Sequence, residues 1–352
     1  MDWTGCLFVI GSTIMLLLAL DFGGVTHPWD SATVICLIVF SAVGLGVFVV
    51  NEWKLVKYPI IPLILFKDRS GVASFLVCFC HGFIFMGQAY YLPLYFQAVL
   101  GASPIMSGVY LLPLVLSISI SGALTGLFIQ KTGKYVPALW LGLVLLTLGV
   151  GLLINLEPTA NWGKILGFQI ISGAGVGMNF EGPLLALQAI VGVENTATAT
   201  ASIGFVRSLS TAVSVVIGAV VFQNQMVQEG PKLIKALGED LARQLADGGA
   251  TANVELINSL PAAQKAAAQH AFYRSLRTMW IMVSLDDAVI DKRSILIEFV
   301  QYVAFAAAGL IAGFFVDAHH LSQEHEAAVL GLRGDSEQSS AQVERTARPD
   351  QS

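Results

Sequence analysis

Apolar runs about 20 residues long recur along this chain with only short polar breaks between them, and that recurrence limits what it can fold into. A bilayer's hydrocarbon core is roughly 30 Å thick, so an α-helix needs about 20 apolar residues to cross it. Runs of that length in series exclude a single buried soluble core. Composition agrees, with 55% of the 352 residues hydrophobic and only 12% charged, against roughly 25% charged in ordinary soluble domains. Mean hydropathy is +0.71. Alternating polarity is absent, so a membrane barrel is disfavoured. The expected fold class is an all-α integral membrane protein of about eight transmembrane helices. Formal net charge is -5, but much of the acid lies after Gln225 and in the C-terminal tail, and it implies no nucleic-acid partner. The N-terminus carries no basic segment, so residues 4–20 read as a retained helix rather than a cleaved signal.

Spans are expected at about 3–20, 31–50, 71–95, 104–130, 137–156, 165–191 and 199–222, with a last one between 273 and 316. Trp29 suits an interface. Pro59 and Pro62 cannot continue a helix, while residues 63–66 are apolar enough to lie along the membrane surface. Gly122 and Gly126 form a small-xxx-small face for close helix packing. Residues 223–272 turn polar, and their alanine-rich stretches at 236–246 and 262–269 read as amphipathic surface helices. Beyond Asp317 the tail is charged, serine-rich and expected to be disordered.

The polar exceptions within the apolar runs are the candidate site. Asn179, Glu181, Gln188 and Arg207 fall between Gly167 and Gln223, and an intramembrane charge costs roughly 2.5 to 3.5 kcal/mol on insertion scales. Such groups usually face a bundle interior or a watery cavity. Gln88, Tyr91 and His81 in the third span complete the candidate substrate or proton pathway. Each has a plainer reading: Tyr91 in an aromatic belt, His81 as a packed core histidine, the amides as bridges between neighbours. Arg207 either holds an anionic substrate or pins the bundle, and Glu181 is its nearest partner by class. Gly173, Gly177 and Pro183 mark a candidate hinge, because a proline in a membrane helix frees a carbonyl that neighbours or water must re-satisfy.

Cys78, Cys80 and His81 invite a metal reading. Residues two apart lie about 200° apart around a helix, and no second ligand pair follows, so no metal or other cofactor is expected. Gly173, Gly175 and Gly177 do not complete a dinucleotide fingerprint, since Met178 takes its last position and no strand precedes them. With no nucleophile–base pair and no phosphate loop, an enzyme is not expected. Lys54, Lys57, Lys67, Arg69, Lys131 and Lys134 follow the second and fourth spans, which places those connections, and both termini, in the cytoplasm.

Several stretches resemble one family. Asp2-Trp3-Thr4-Gly5 with Pro28-Trp29, then Pro59-Ile60-Ile61-Pro62 with Phe66 and Arg69, then Tyr91-Leu92-Pro93-Leu94-Tyr95-Phe96-Gln97 with Gly101, Ser103, Pro104 and Ser107-Gly108, are similar to the fourteen-helix drug:proton antiporters of the major facilitator superfamily. These are common as fungal toxin-efflux pumps. The segment with Gly126, Lys131, Gly133 and Lys134 resembles a degenerate copy of the superfamily's basic cytoplasmic loop, with Gln130 at its acidic position. Gly173 to Phe180 with Pro183 and Gln188, and Phe205-Val206-Arg207, resemble the family's later helices, although Ser208 and Ser210 stand where glycines are usual.

The resemblance implies residues 1–70 as the family's central helix pair and linker, 71–316 as its C-terminal six-helix half, and 317–352 as a cytoplasmic tail; residues 226–272 become an extracytoplasmic loop. It implies proton-coupled efflux of hydrophobic or amphipathic small molecules across the plasma membrane, with protons as coupling ion and the bilayer as partner. Read as a buried carboxylate, which can be neutral or charged near physiological pH, Glu181 is the candidate proton carrier; otherwise it is a structural partner for Arg207 or a residue at the cytoplasmic mouth. Six helices of the family pattern are missing before residue 1, so the alternative is a truncated membrane protein that moves nothing. Residues 283–301, with Asp286, Asp287, Asp291, Lys292 and Arg293, interrupt the last span. They read as a translated intron or as a genuine variant in which residues 295–316 form the span.

Overall fold

A computed structural model describes residues 2–23, 26–54, 56, 61, 63–191, 195–247, 254–280 and 301–318. Among them, seven helical segments are long and apolar enough to cross a membrane. The first pair, α1 (Trp3–Phe22) and α2 (Ala32–Lys54), pack on each other. Asp2 caps α1 by accepting from the Gly5 N–H at 2.8 Å, the expected use of a carboxylate at a helix start. Helix α3 (Arg69–Leu94) runs on into a π turn at Tyr95–Val99, longer than the expected span. Helix α4 (Pro104–Thr132) starts at the Ser103 cap with a proline in its first turn and ends at Gly133, whose φ of 68° is the left-handed stop that glycine allows.

The next elements are α5 (Val136–Leu153), α6 (Trp162–Met178) and α7 (Gly182–Ile190). Helix α6 lies between α4 and α5, and three glycines explain how closely. A Cβ on Gly173 would sit 2.7 Å from the Leu114 carbonyl oxygen; on Gly175 it would overlap Leu146, and on Gly177 Ser121 and Ile118. Gly173 and Gly177 therefore serve packing inside a regular helix and not the expected hinge. Gly122 shares this seam, 3.5 Å from the Gly177 carbonyl, whereas Gly126 has nothing near it. The chain breaks instead at Asn179–Glu181, and Pro183 sits in the first turn of α7, where its missing N–H has no helical partner to lose.

Two expectations at the far end are corrected. The seventh span does not stop at residue 222: α8 (Thr196–Leu237) is one helix of 42 residues that carries Pro231 inside it. Its buried stripe of Phe222, Met226, Leu233 and Leu237 continues at helical spacing past the apolar run, and Pro231 lies on the exposed side. The polar stretch after residue 225 does hold helices at both alanine-rich stretches, as expected, but their apolar faces join the core instead of lying free on the surface. Together with the end of α8, α9 (Glu239–Asp247), α10 (Val254–Ser259) and α11 (Ala262–Trp280) form a cap that buries Leu245, Ile257, Ala268 and Phe272 in the core shared with Tyr95 and Phe96.

The last described helix, α12 (Gln301–Gly313), packs on α3 and α5, with Phe305 stacked 4.0 Å from Phe83. Its 13 described residues rise about 20 Å. Residues 281–300, the tail beyond 318, and Pro59 and Pro62 lie outside the described residues, and with them the readings of an interruption and a disordered tail. Residues 63–66, expected along the membrane surface, form a 3-10 turn (Leu63–Phe66) that buries Leu65 and exposes Phe66. At one end of the bundle the Tyr135 hydroxyl donates to the Asp317 carbonyl (2.7 Å) and the Asp317 N–H to Ser70 (3.0 Å). At the other, the Tyr95 and Tyr273 hydroxyls donate to the carbonyls of Glu157 and Leu156.

Candidate functional site

Helix α3 is the most enclosed span, and its inner face carries two polar side chains seven residues apart, His81 and Gln88. On α6, Gln169, Ser172, Val176 and Asn179 recur at helical spacing. Ser172 and Val176 meet Gln88 and His81 of α3, Gln169 turns to Tyr110 of α4 and Asn179 lies against Gly142 of α5, and together they make a polar seam through the apolar interior. His81 Nε2 lies 2.8 Å from the Val176 carbonyl oxygen, and Gln88 Nε2 donates to Ser172 Oγ at 2.6 Å. Gln169 Nε2 donates to the Tyr110 and Ile165 carbonyls, both at 3.1 Å, and Asn179 Nδ2 to the Gly175 carbonyl at 2.9 Å.

Each of these groups is satisfied on one side only. His81 Nδ1, Gln88 Oε1, Gln169 Oε1 and Asn179 Oδ1 are buried with no hydrogen-bond partner in the protein, as is Arg207 Nε. An unmet buried polar group costs roughly 1 to 3 kcal/mol, so such a concentration asks for water or ligand to complete it.

The seam ends at the break between α6 and α7. There Arg207 of α8 reaches across, and its guanidinium donates to the Phe180 carbonyl at 2.6 Å while lying 4.4 Å above the Phe180 ring. The carbonyl that the break leaves outside a helix thus gains a charged donor. The His81 ring meets the same Phe180 ring edge-on, 5.8 Å between centroids. Gly82 lets α8 approach α3 beside Arg207, since a Cβ there would overlap Ser210 Oγ.

The remaining candidates fall elsewhere. Glu181 is exposed beside the break; among the described residues it forms no ion pair with Arg207, whose hydrogen bond is to the neighbouring backbone carbonyl instead. The basis for reading Glu181 as a buried carboxylate is therefore absent. Tyr91 is fully enclosed, not in an interfacial belt, and its hydroxyl donates to the Val215 carbonyl at 2.7 Å. Gln188 sits between α7 and α8, donating to Thr200 at 3.0 Å. Lys131 and Lys134 are exposed on either side of Gly133 at the end of α4, beyond Gly126. Gln169, Ser172 and Phe180 were missed. The first two stand at the repeat that holds Asn179 and were readable from it; Phe180 acts through its carbonyl and ring, which no sequence pattern reports.

A second polar cluster closes the base of the α1–α2 pair. Asp2 accepts from Gly5 N, from Thr4 Oγ1 at 2.7 Å and from Asn51 Nδ2 at 2.8 Å. The Gly5 N–H, then the Thr4 and Asn51 side chains, hold its carboxyl below the ordinary value of 3.8 against the opposing effect of burial. Glu52, also buried, accepts from the Ile61 N–H at 3.2 Å.

Residues 3–215 match the family described as the Major Facilitator Superfamily. The chain is 47% identical over 331 residues to the MFS-type transporter ppz2 of Metarhizium majus, covering 94% of this chain and 54% of that one. It is 45% identical to the efflux pump dotC of Dothistroma septosporum, over 94% and 53%. An MFS-type transporter of Aspergillus terreus is 33% identical over 338 residues, 94% and 57%. The chain therefore spans about half the length of the curated relatives it matches. A solved bacterial homologue of the human lysosomal transporter Spinster, inward-facing and unoccupied, shares 14% identity at a TM-score of 0.48, over 88% of this chain and 69% of that one.

Proposed function

The chain belongs to the major facilitator superfamily, and on that premise we propose that it forms one half of a secondary transporter that exports hydrophobic or amphipathic small molecules against inward proton flow. The observation that carries this reading is the half-satisfied polar seam ending at a broken span, with His81, Gln88, Gln169 and Asn179 each keeping one buried polar atom open. Discontinuous helices with unwound backbone near the bilayer midplane are how secondary transporters build binding sites. Two relatives that carry the word efflux in their names support the outward direction. Glu181, exposed beside the break, is then placed to meet a cationic group or a proton arriving from water, and Gln188 extends the same path. The proposed setting is the plasma membrane with both ends of the described chain in the cytoplasm.

The test is export of a fluorescent amphipathic dye from cells lacking their own pumps, expressing this chain alone and together with the N-terminal half of a relative. Export that appears with the complementing half and collapses with the proton gradient supports the reading. Insertion without export in both conditions returns the alternative of a membrane protein that moves nothing. Glu181→Gln in the complemented pair separates the carboxylate's role: unchanged proton-driven export removes Glu181 from the proton path. Maleimide labelling of Lys134→Cys from the cytoplasm and Asn258→Cys from outside checks the orientation.

A further inference from the structure

We propose that His81 Nδ1 is a proton-binding site and that its protonation releases Arg207 from the Phe180 carbonyl, opening the break in the sixth span; this rests on the transporter reading above. The tautomer follows from the partner. A carbonyl oxygen can only accept, so the nitrogen 2.8 Å from Val176 must be Nε2–H. In the neutral ring the lone pair is then on Nδ1, the nitrogen that is buried and has no protein partner. A proton from a hydronium ion entering at the break would add there, leaving water and an imidazolium, with the Val176 bond intact.

The consequence is electrostatic. His81 and Arg207 lie against one Phe180 ring, at 5.8 Å and 4.4 Å from its centroid. A second positive charge on His81 therefore stands within about 10 Å of the guanidinium in a medium that screens poorly. Around His81 the titratable or charged neighbours are Cys78 on its own helix, whose Sγ is turned to the Ile203 carbonyl at 3.7 Å, and Arg207 on α8; α6 presents the Val176 carbonyl, and Glu181 beyond Phe180 is exposed. Among these described groups no carboxylate is buried beside the imidazole to offset the new charge. Repulsion falls on the group that can move, the half-buried arginine that rests on the Phe180 carbonyl and ring.

The test uses the 352-residue chain in lipid nanodiscs, with Cys6, Cys36, Cys78 and Cys80 replaced by alanine and Met178→Cys as reporter at the break. The maleimide labelling rate is expected to rise roughly tenfold between about pH 8 and about pH 4, after correction for thiolate fraction, as the imidazole takes up its proton. His81→Gln retains an amide N–H that can reach the Val176 carbonyl but has no basic nitrogen, so it should fold normally and label at a rate flat with pH. His81→Ala loses both. A pH response that survives His81→Gln overturns the proposal, as does a flat response in the parent chain. Histidine nitrogen NMR supplies the second measurement: a neutral His81 with its proton on Nδ1 also overturns it. Dye export that ignores the proton gradient while labelling still responds would count against the transporter reading and leave the protonation site standing.

Discussion

The two buried polar clusters of this chain are built on opposite plans. At the base of α1 and α2, Asp2 takes three donors and Glu52 a backbone N–H, so the charge is supplied with partners. Along α3 and α6, His81, Gln88, Gln169 and Asn179 each leave one polar atom open. Both sit among apolar helices, and both would be flagged by the same search for polar residues in membrane spans. What separates them is saturation. A saturated cluster ties two helices together; an unsaturated one holds capacity for water, proton or substrate.

Arg207→Met offers the largest test of that contrast. It removes the charged donor from the Phe180 carbonyl, and about 2 kcal/mol of stability should go with it, read as a lower unfolding midpoint in nanodiscs and faster labelling at Met178→Cys. Gly177→Ala probes the floor of the seam: its methyl would overlap Ser121 and Ile118, and overpacking of this kind costs about 1–3 kcal/mol. A stability unchanged by the methyl would mean that α4 and α6 pack more loosely than their glycines indicate.

Asn51→Ala should cost about 1 kcal/mol, since it takes a donor from a carboxylate that is already in place. The same cluster has a pH signature. Because Asp2 is held below its ordinary value in the folded chain, the stability it contributes is full above about pH 4 and is lost as pH falls through the lowered folded value. Asp2→Asn should flatten that acid limb of the unfolding curve; an unaltered limb would assign it to another carboxylate. Smallest of all is Gln88→Leu. The amide has one bond to Ser172 and one open oxygen, so the folding cost should stay near 0.6 kcal/mol, the typical worth of such a bond in membranes, while dye export by the complemented pair falls several-fold. Equal costs for Asn51→Ala and Gln88→Leu would erase the distinction between the two clusters.

The helical membrane class was legible in the sequence because the length of an apolar run is a property of the run alone. So were the helix starts after Asp2 and Ser103, expected at 3 and 104, whereas the start after Asn161 and the stop at Gly133 fall a few residues outside the expected spans of 165–191 and 104–130. The continuation of α8 to Leu237 was readable in principle from Phe222, Met226, Leu233 and Leu237, but the polar residues between them and the Gly230-Pro231 pair hid the stripe. Pro183 pointed to the break and missed its position by a few residues, because proline is excluded from helix interiors and welcomed in the first turn.

The sequence by itself determined that this chain crosses a membrane several times and which few residues interrupt its apolar spans, because hydropathy and spacing act along the chain. Only the tertiary structure decided that Arg207 holds Phe180 and not Glu181, that Glu181 is exposed, and that the His81 imidazole is spent on the Val176 carbonyl through Nε2 and keeps Nδ1 open. Hydrogen bonds act over about 3 Å. Which side chain wins a partner at that range depends on how helices 95 or more residues apart in sequence meet, as for His81 and Val176, and no local pattern carries that information.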